Sequence, residues 1–169
     1  KYRDGRKNFK LFKGAEKVFY NINSIVGWEY CVLVEGEMDA LALHEAGITN
    51  VISVPNGATL NTNNLDYLDA CIDYLDDKDK IILAVDSDPA GQALQTELIR
   101  RLGSEVCYLA DFEDCKDANE YLLNYGKDGL ASRIIAATPV PLENVTTFRD
   151  VEGEVVDFVR NGFKPGFQV

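Results

Sequence analysis

Four short apolar runs, separated by longer stretches with helical spacing, constrain this chain more than any other feature. The runs are Tyr30–Val34, Asn50–Val54, Lys80–Val85 and Glu105–Leu109. They are mostly apolar rather than strictly alternating, the pattern of a strand covered on both faces. Between and after them, Glu37–Ala46, Asn64–Leu75, Ala90–Leu102, Asp117–Tyr125 and Leu130–Ala137 read as helices. Gly47 and Gly103 stand where helices commonly stop. In the second helical stretch Leu65, Leu68, Ile72 and Leu75 recur at helical spacing. Strand and helix therefore alternate from residue 30 to residue 125. With right-handed crossovers this predicts an α/β, Rossmann-like fold, a parallel four-stranded sheet with helices on both faces.

The flanks differ from this body. Residues 1–20 read as short strands joined by turns at Gly5 and Gly14, and they are basic. Lys1, Arg3, Arg6, Lys7, Lys10, Lys13 and Lys17 face only Asp4 and Glu16 there, although the net charge of the 169 residues is −11. An acidic body with a basic start suits a protein that binds metal cations and touches nucleotides or nucleic acid from one side. Thr138-Pro139-Val140-Pro141 reads as a linker, and residues 148–161 as an amphipathic helix with Val151, Val155, Phe158 and Val159 on one side. The expected division is residues 1–28, 29–137 and 138–169. Both ends are expected to continue into a longer protein. No apolar run approaches the ~20 residues that span a bilayer, so no membrane partner is expected.

Ligands of an open parallel sheet bind beyond the carboxyl ends of its strands. Glu35 directly follows Cys-Val-Leu-Val, and Asp86 directly follows Ile-Ile-Leu-Ala-Val, with Asp88 two residues on. Asp39 lies one turn into the helix after Gly36, where it can lean back toward Glu35. Each has a cheaper reading alone. Asp88 before Pro89 is a good N-cap, Asp86 a turn residue, and Asp39 favours the positive end of its helix. Glu35 gains little at the end of a buried strand without a partner. Jointly the four carboxylates would repel each other without a cation, and hard oxygen ligands suit magnesium or manganese.

Other residues carry less. Cys31, Cys71, Cys107 and Cys115 form no C-x-x-C pair, which argues against zinc and for buried reduced thiols. That points to a reducing compartment. His44 reads as a structural helix residue, the run Asp73–Lys80 as a solvated helix end, and Trp28 as a packing residue. Asn56-Gly57 is most cheaply a tight turn.

The elements Glu35-Gly36-Glu37-Met38-Asp39 and Asp86-Ser87-Asp88, with a βα unit between them, resemble the Toprim family's Glu-Gly-x-x-Asp and Asp-x-Asp. The run Val85-Asp86-Ser87-Asp88-Pro89-Ala90-Gly91 is similar to the primase members in particular. Lys1-Tyr2-Arg3 and Lys7-Asn8-Phe9 resemble the basic segment that precedes this fold in phage and Twinkle-type primase–helicases. Lys116-Asp117-Ala118-Asn119 resembles their Lys-Asp-x-Asn element, and the region from 148 onward resembles their linker into a helicase domain.

The resemblance implies a magnesium-dependent (or manganese-dependent) DNA primase that makes RNA primers on single-stranded DNA from ribonucleoside triphosphates. Glu35, Asp86 and Asp88 would hold the metal and Asp39 would support them. Lys1, Arg3, Lys7, Asn56, Gly57, Lys116, Asp117 and Asn119 would contact nucleotide or template. No Walker A loop occurs in this sequence, so it is not itself the helicase motor; the resemblance implies a covalently linked helicase domain. The implied location is the cytoplasm of a bacterial, phage or prophage host, with mitochondria as the alternative. Two other functions share the motifs: a non-catalytic DNA-contact module of a replicative helicase, and a metal-dependent nuclease or topoisomerase module.

Overall fold

A computed structural model describes residues 2–3, 9–10, 12–58, 65–141, 156 and 159–160. Two short strands, β1 (Tyr2–Arg3) and β2 (Phe9–Lys10), pair antiparallel near the start. The main sheet then begins with β3 (Tyr30–Val34), followed by α1 (Glu37–Glu45) and β4 (Val51–Ser53). After α2 (Asp66–Ala70) come β5 (Lys80–Ala84), α3 (Pro89–Leu102), β6 (Cys107–Leu109), α4 (Ala118–Ile135) and β7 (Thr138–Pro139).

The strand order is β4-β3-β5-β6-β7. The first four strands are mutually parallel, as the apolar runs predict, and β7 adds an antiparallel edge. That edge strand falls on residues read above as a linker. Its proline is tolerated because an edge strand leaves one side of its backbone unpaired. Val140 continues the contact by donating its N–H to the Cys107 carbonyl at 3.0 Å.

Alternate side chains of the buried strands feed two cores. Cys31, Leu33, Ile52, Ile81 and Leu83 pack with Leu68, Leu94 and Leu98, on the side of α2 and α3. Val32, Val34, Val51, Ile82 and Ala84 pack with Leu43, Tyr121, Leu130 and Ile134, on the side of α1 and α4. Helices on both faces explain why the strands are apolar without interruption.

The sequence order reverses at β3. Its successor β4 pairs on one side, and β5 pairs on the other. The chain leaves β3 into α1 on one face and leaves β5 into α3 on the opposite face. Neighbouring strands whose following helices diverge open a crevice at their carboxyl ends. Glu35 and Asp86 stand there because Val34 and Ala84 are register partners.

Several local expectations shift. The stretch read as one helix from Asn64 to Leu75 is α2 followed by a 3-10 turn at Ile72–Tyr74, while Asn64 lies outside the described residues. Spacings of three and four residues fit either helix type, and β-branched Ile72 and acidic Asp73 propagate an α-helix poorly. The helices expected at 117–125 and 130–137 meet at Gly126, where φ is 74°. The acidic run before β5 exposes Asp73, Asp76, Asp77 and Asp79, but Lys78 is buried and ion-paired with Asp77.

All four cysteines are free and buried, as expected, and His44 lies on the exposed side of α1. Trp28 packs edge-to-face against Tyr30. The predicted helix at 148–161 lies outside the described residues apart from helical positions 156, 159 and 160. Among the described residues no helix is long and apolar enough to cross a membrane.

Candidate functional site

The crevice at the carboxyl ends of β3 and β5 holds a cavity of about 430 Å3, lined in part by Glu35, Asp39, Asn56, Gly57 and Asp86. Glu35 is fixed by the turn after β4. Its Oε1 accepts the Ala58 N–H at 2.9 Å, while Oε2 is buried with no hydrogen-bond partner. Burial raises the Glu35 pKa against the pull of the Ala58 N–H, and Asp86 and Asp88 raise it further. An ionised carboxylate left with a bare, buried oxygen is costly, and a cation removes that cost.

Asp86 is 8 % exposed, and its pKa is likewise raised by burial, with Lys116 opposing. The Lys116 ammonium donates to Asp86 Oδ2 at 2.5 Å and stands 3.7 Å from Asp88 Oδ2. Asp88 has two roles at once. Its Oδ1 accepts the Ala90 and Gly91 N–H groups at 3.0 Å each, capping α3, with Pro89 in the first turn as that cap favours. Its Oδ2 faces the lysine. The Gly91 N–H does most to hold the Asp88 pKa below the ordinary carboxylate range.

Gly91 explains why the loop after β5 closes so tightly. A Cβ at that position would stand 2.1 Å from the Asp86 carbonyl oxygen. Only a bare α-carbon lets α3 start against the back of Asp86. At Gly36 a Cβ would lie 2.9 Å from Asp39 Oδ2, a milder conflict because that oxygen ends a side chain.

Asp39 is drawn toward α4. Its Oδ1 accepts the Asn119 N–H at 3.2 Å. Burial, then Asp117 and Asp86, push its carboxyl up to about 7. Asp117 caps α4 by accepting the Glu120 N–H at 2.8 Å. The Lys116 backbone is pinned on both sides. Its N–H donates to Glu120 Oε2 at 2.7 Å, and its carbonyl accepts the Ser87 N–H at 2.9 Å.

The sequence-predicted residues Glu35, Asp39, Asn56, Gly57, Asp86, Asp88, Lys116, Asp117 and Asn119 thus gather at one edge of the sheet. Lys1 and Lys7 lie outside the described residues, and of Arg3 only its place in β1 is described. Among the described residues no three acidic, histidine or cysteine side chains are already drawn together to hold a metal ion. The donor set nevertheless fits one. It offers acceptor-only oxygens, an orphaned buried Glu35 oxygen, and a lysine ammonium standing in as the cation before Asp86 and Asp88. Sequence reasoning missed the Ala58 N–H, a backbone group with no side-chain signal, and the spatial role of Gly91, whose signal was a glycine at the third helical position after Asp88.

The chain matches the Toprim-like family over residues 32–122 and belongs to it. It is 38 % identical to the primase homolog protein of Arabidopsis thaliana over 161 residues, 85 % of this chain and 48 % of that protein. It is 34 % identical to the chloroplastic and mitochondrial Twinkle homolog of the same plant, over 92 % of this chain and 24 % of the homolog. The chain therefore spans about half and about a quarter of these relatives.

A solved bacteriophage T7 assembly, in which primase domains are bound to an RNA/DNA hybrid and dTTP, contains a chain of the same fold. It aligns with a TM-score of 0.65 at 30 % identity, over 81 % of this chain and 69 % of that one. The protein is thus a Toprim domain homologous to primase domains, and such domains typically bind magnesium.

Two outcomes follow. Gly91→Ala should destabilise the protein by ~1–3 kcal/mol despite alanine's better helix propensity, because its methyl group overlaps the Asp86 backbone. Urea unfolding checks this, and an unchanged or higher midpoint would contradict it.

The second concerns pH. A raised Asp39 pKa means that the folded protein holds a proton the unfolded chain has released. That contribution is complete below the ordinary aspartate range and is lost as pH rises through about 7. Without metal, the stability of wild type relative to Asp39→Asn should therefore fall by ~2–4 kcal/mol between about pH 4 and pH 8. Paired thermal melts across that range measure it, and a flat difference would contradict it.

Proposed function

We propose that this chain is the nucleotidyl-transfer core of a DNA primase, and that the whole protein is a primase–helicase. The observation that carries the reading is the joint position of Glu35, Asp86 and Asp88 at the sheet's switch point, in a chain homologous to primase domains. In the proposed reaction a ribonucleotide 3′-hydroxyl oxygen attacks the α-phosphorus of the next ribonucleoside triphosphate. The new P–O bond forms as the bond to pyrophosphate breaks, and the hydroxyl proton is released.

Glu35, Asp86 and Asp88 would hold magnesium or manganese, which when bound lowers the hydroxyl pKa and offsets phosphate charge. The Ala58 N–H holds one Glu35 oxygen and leaves Oε2 without a partner for such an ion. Asp39 fixes the start of α4, and with it Lys116, Asp117 and Asn119 beside the triphosphate. Asn56 and Gly57 border the same cavity from the β4 turn. Lys1, Arg3 and Lys7 would meet the template backbone. Residues 1–28 would serve as the basic segment, 29–137 as the Toprim domain, and 138–169 as the lead into a helicase domain.

A second reading is a Toprim module that contacts DNA without priming. It is favoured by the Lys116 ion pair across Asp86 and Asp88, which neutralises the carboxylates without a metal.

Ribonucleotide incorporation on single-stranded DNA by the full-length protein separates the two. Under the first reading Glu35→Gln lowers incorporation by ~100-fold or more while leaving DNA binding in place. Incorporation unaffected by Glu35→Gln would overturn the assigned chemistry. DNA binding with no incorporation by the wild type would favour the second reading.

A further inference from the structure

Among the described residues, Lys116 is the one group in the crevice whose position conflicts with a metal at Asp86 and Asp88. Its ammonium lies 2.5 Å from Asp86 Oδ2 and 3.7 Å from Asp88 Oδ2, where a divalent cation shared by the two would have to approach. Asp86 is almost fully shielded from water, so its charged form is costly without a compensating cation. Half of the Lys116 side chain is exposed, so the ammonium has solvent to move into. Its backbone cannot follow, being tied to Ser87 on one side and Glu120 on the other. Only the four-carbon stem is free to swing. Glu35 Oε2, buried and without a partner, is the acceptor that the ammonium leaves unserved.

We propose that Lys116 is an exchangeable internal cation, which compensates Asp86 and Asp88 in the metal-free protein and is displaced when a divalent ion binds. The inference rests on the reading of Glu35, Asp86 and Asp88 as metal ligands. It adds a competition to that reading. A divalent ion must displace the lysine before it gains the carboxylates, so metal affinity is lower than the carboxylates alone would give. In return the metal-free fold is spared two uncompensated carboxylates. The displaced ammonium stays tethered within one side-chain length of the metal, with no carboxylate partner, and is then available to an anionic ligand.

The test is manganese binding by calorimetry together with thermal melts, using wild type, Lys116→Met, and Lys127→Met as a control for the loss of one positive charge. Lys127 pairs with Glu45 rather than with the crevice carboxylates. Methionine keeps the length of the stem without its charge. Lys116→Met is expected to bind manganese about tenfold more tightly than wild type, and Lys127→Met to bind as wild type does. Without metal, Lys116→Met should melt below wild type, and manganese should raise its melting temperature by more than it raises that of wild type.

Equal or weaker manganese binding by Lys116→Met, with wild-type binding intact and lost in Asp86→Ala plus Asp88→Ala, would overturn the exchange while leaving the metal site standing. Binding by none of the proteins would overturn the metal reading and the exchange with it. Equal tightening by Lys127→Met would also overturn the exchange, since it would reduce the effect to net charge. If Lys116→Met does not fold without metal, Lys116→Gln takes its place in the same comparison.

Discussion

The pairing of β3 with β5 is the constraint on which the rest of the structure depends. These two strands lie side by side in parallel register, Val34 against Ala84, yet their following helices leave toward opposite faces. The divergence opens the sheet edge, and the register sets which residues stand there. A slip of one residue would turn every buried side chain of a strand to the other face. Four buried residues in each strand make that slip expensive, so the positions of Glu35 and Asp86 are fixed by hydrophobic packing several Å away.

Gathering carboxylates at such an edge works against folding, and the local architecture offsets it piece by piece. The Ala58 N–H engages one Glu35 oxygen, the start of α3 engages one Asp88 oxygen, and the Asn119 N–H engages Asp39. Lys116 covers what is left of Asp86. At Glu35 the contact uses one oxygen and leaves Oε2 without a partner, which keeps the group oriented and still able to accept a ligand. The glycines of the two acidic elements belong to the same arrangement. At Gly91 the start of α3 and the Asp86 backbone approach more closely than a side chain permits, and at Gly36 the Asp39 carboxylate stands close to the backbone.

Much of this was legible in the sequence, for identifiable reasons. Continuous apolar runs of strand length specify strands buried on both faces, so the four parallel strands and the helices between them followed from the pattern. The acidic residues were legible because each directly follows such a run. What escaped was set by partners distant in sequence or by the backbone alone. The two-residue β7 forms only because its segment meets β6, and no pattern of two residues can announce that. Residues 64–75 kept helical spacing while splitting into two helix types. Lys116 was recognised through its motif, but its ion pair joins residues thirty positions apart and needed the fold to be seen. The Ala58 N–H has no side-chain identity at all.

Under the proposed function, Glu35, Asp86 and Asp88 form one cation site at the carboxyl edge of β3 and β5. Paramagnetic broadening of backbone amide signals by substoichiometric manganese tests it most directly, because the effect reports distance from the ion at every residue. The amides of Gly36, Ala58 and Ser87 are expected to broaden first, while those of Gly47 and Asp79, at the opposite edge of the sheet, stay sharp. Broadening centred on the acidic run Asp73–Asp79, or spread evenly over the acidic surface, would contradict it.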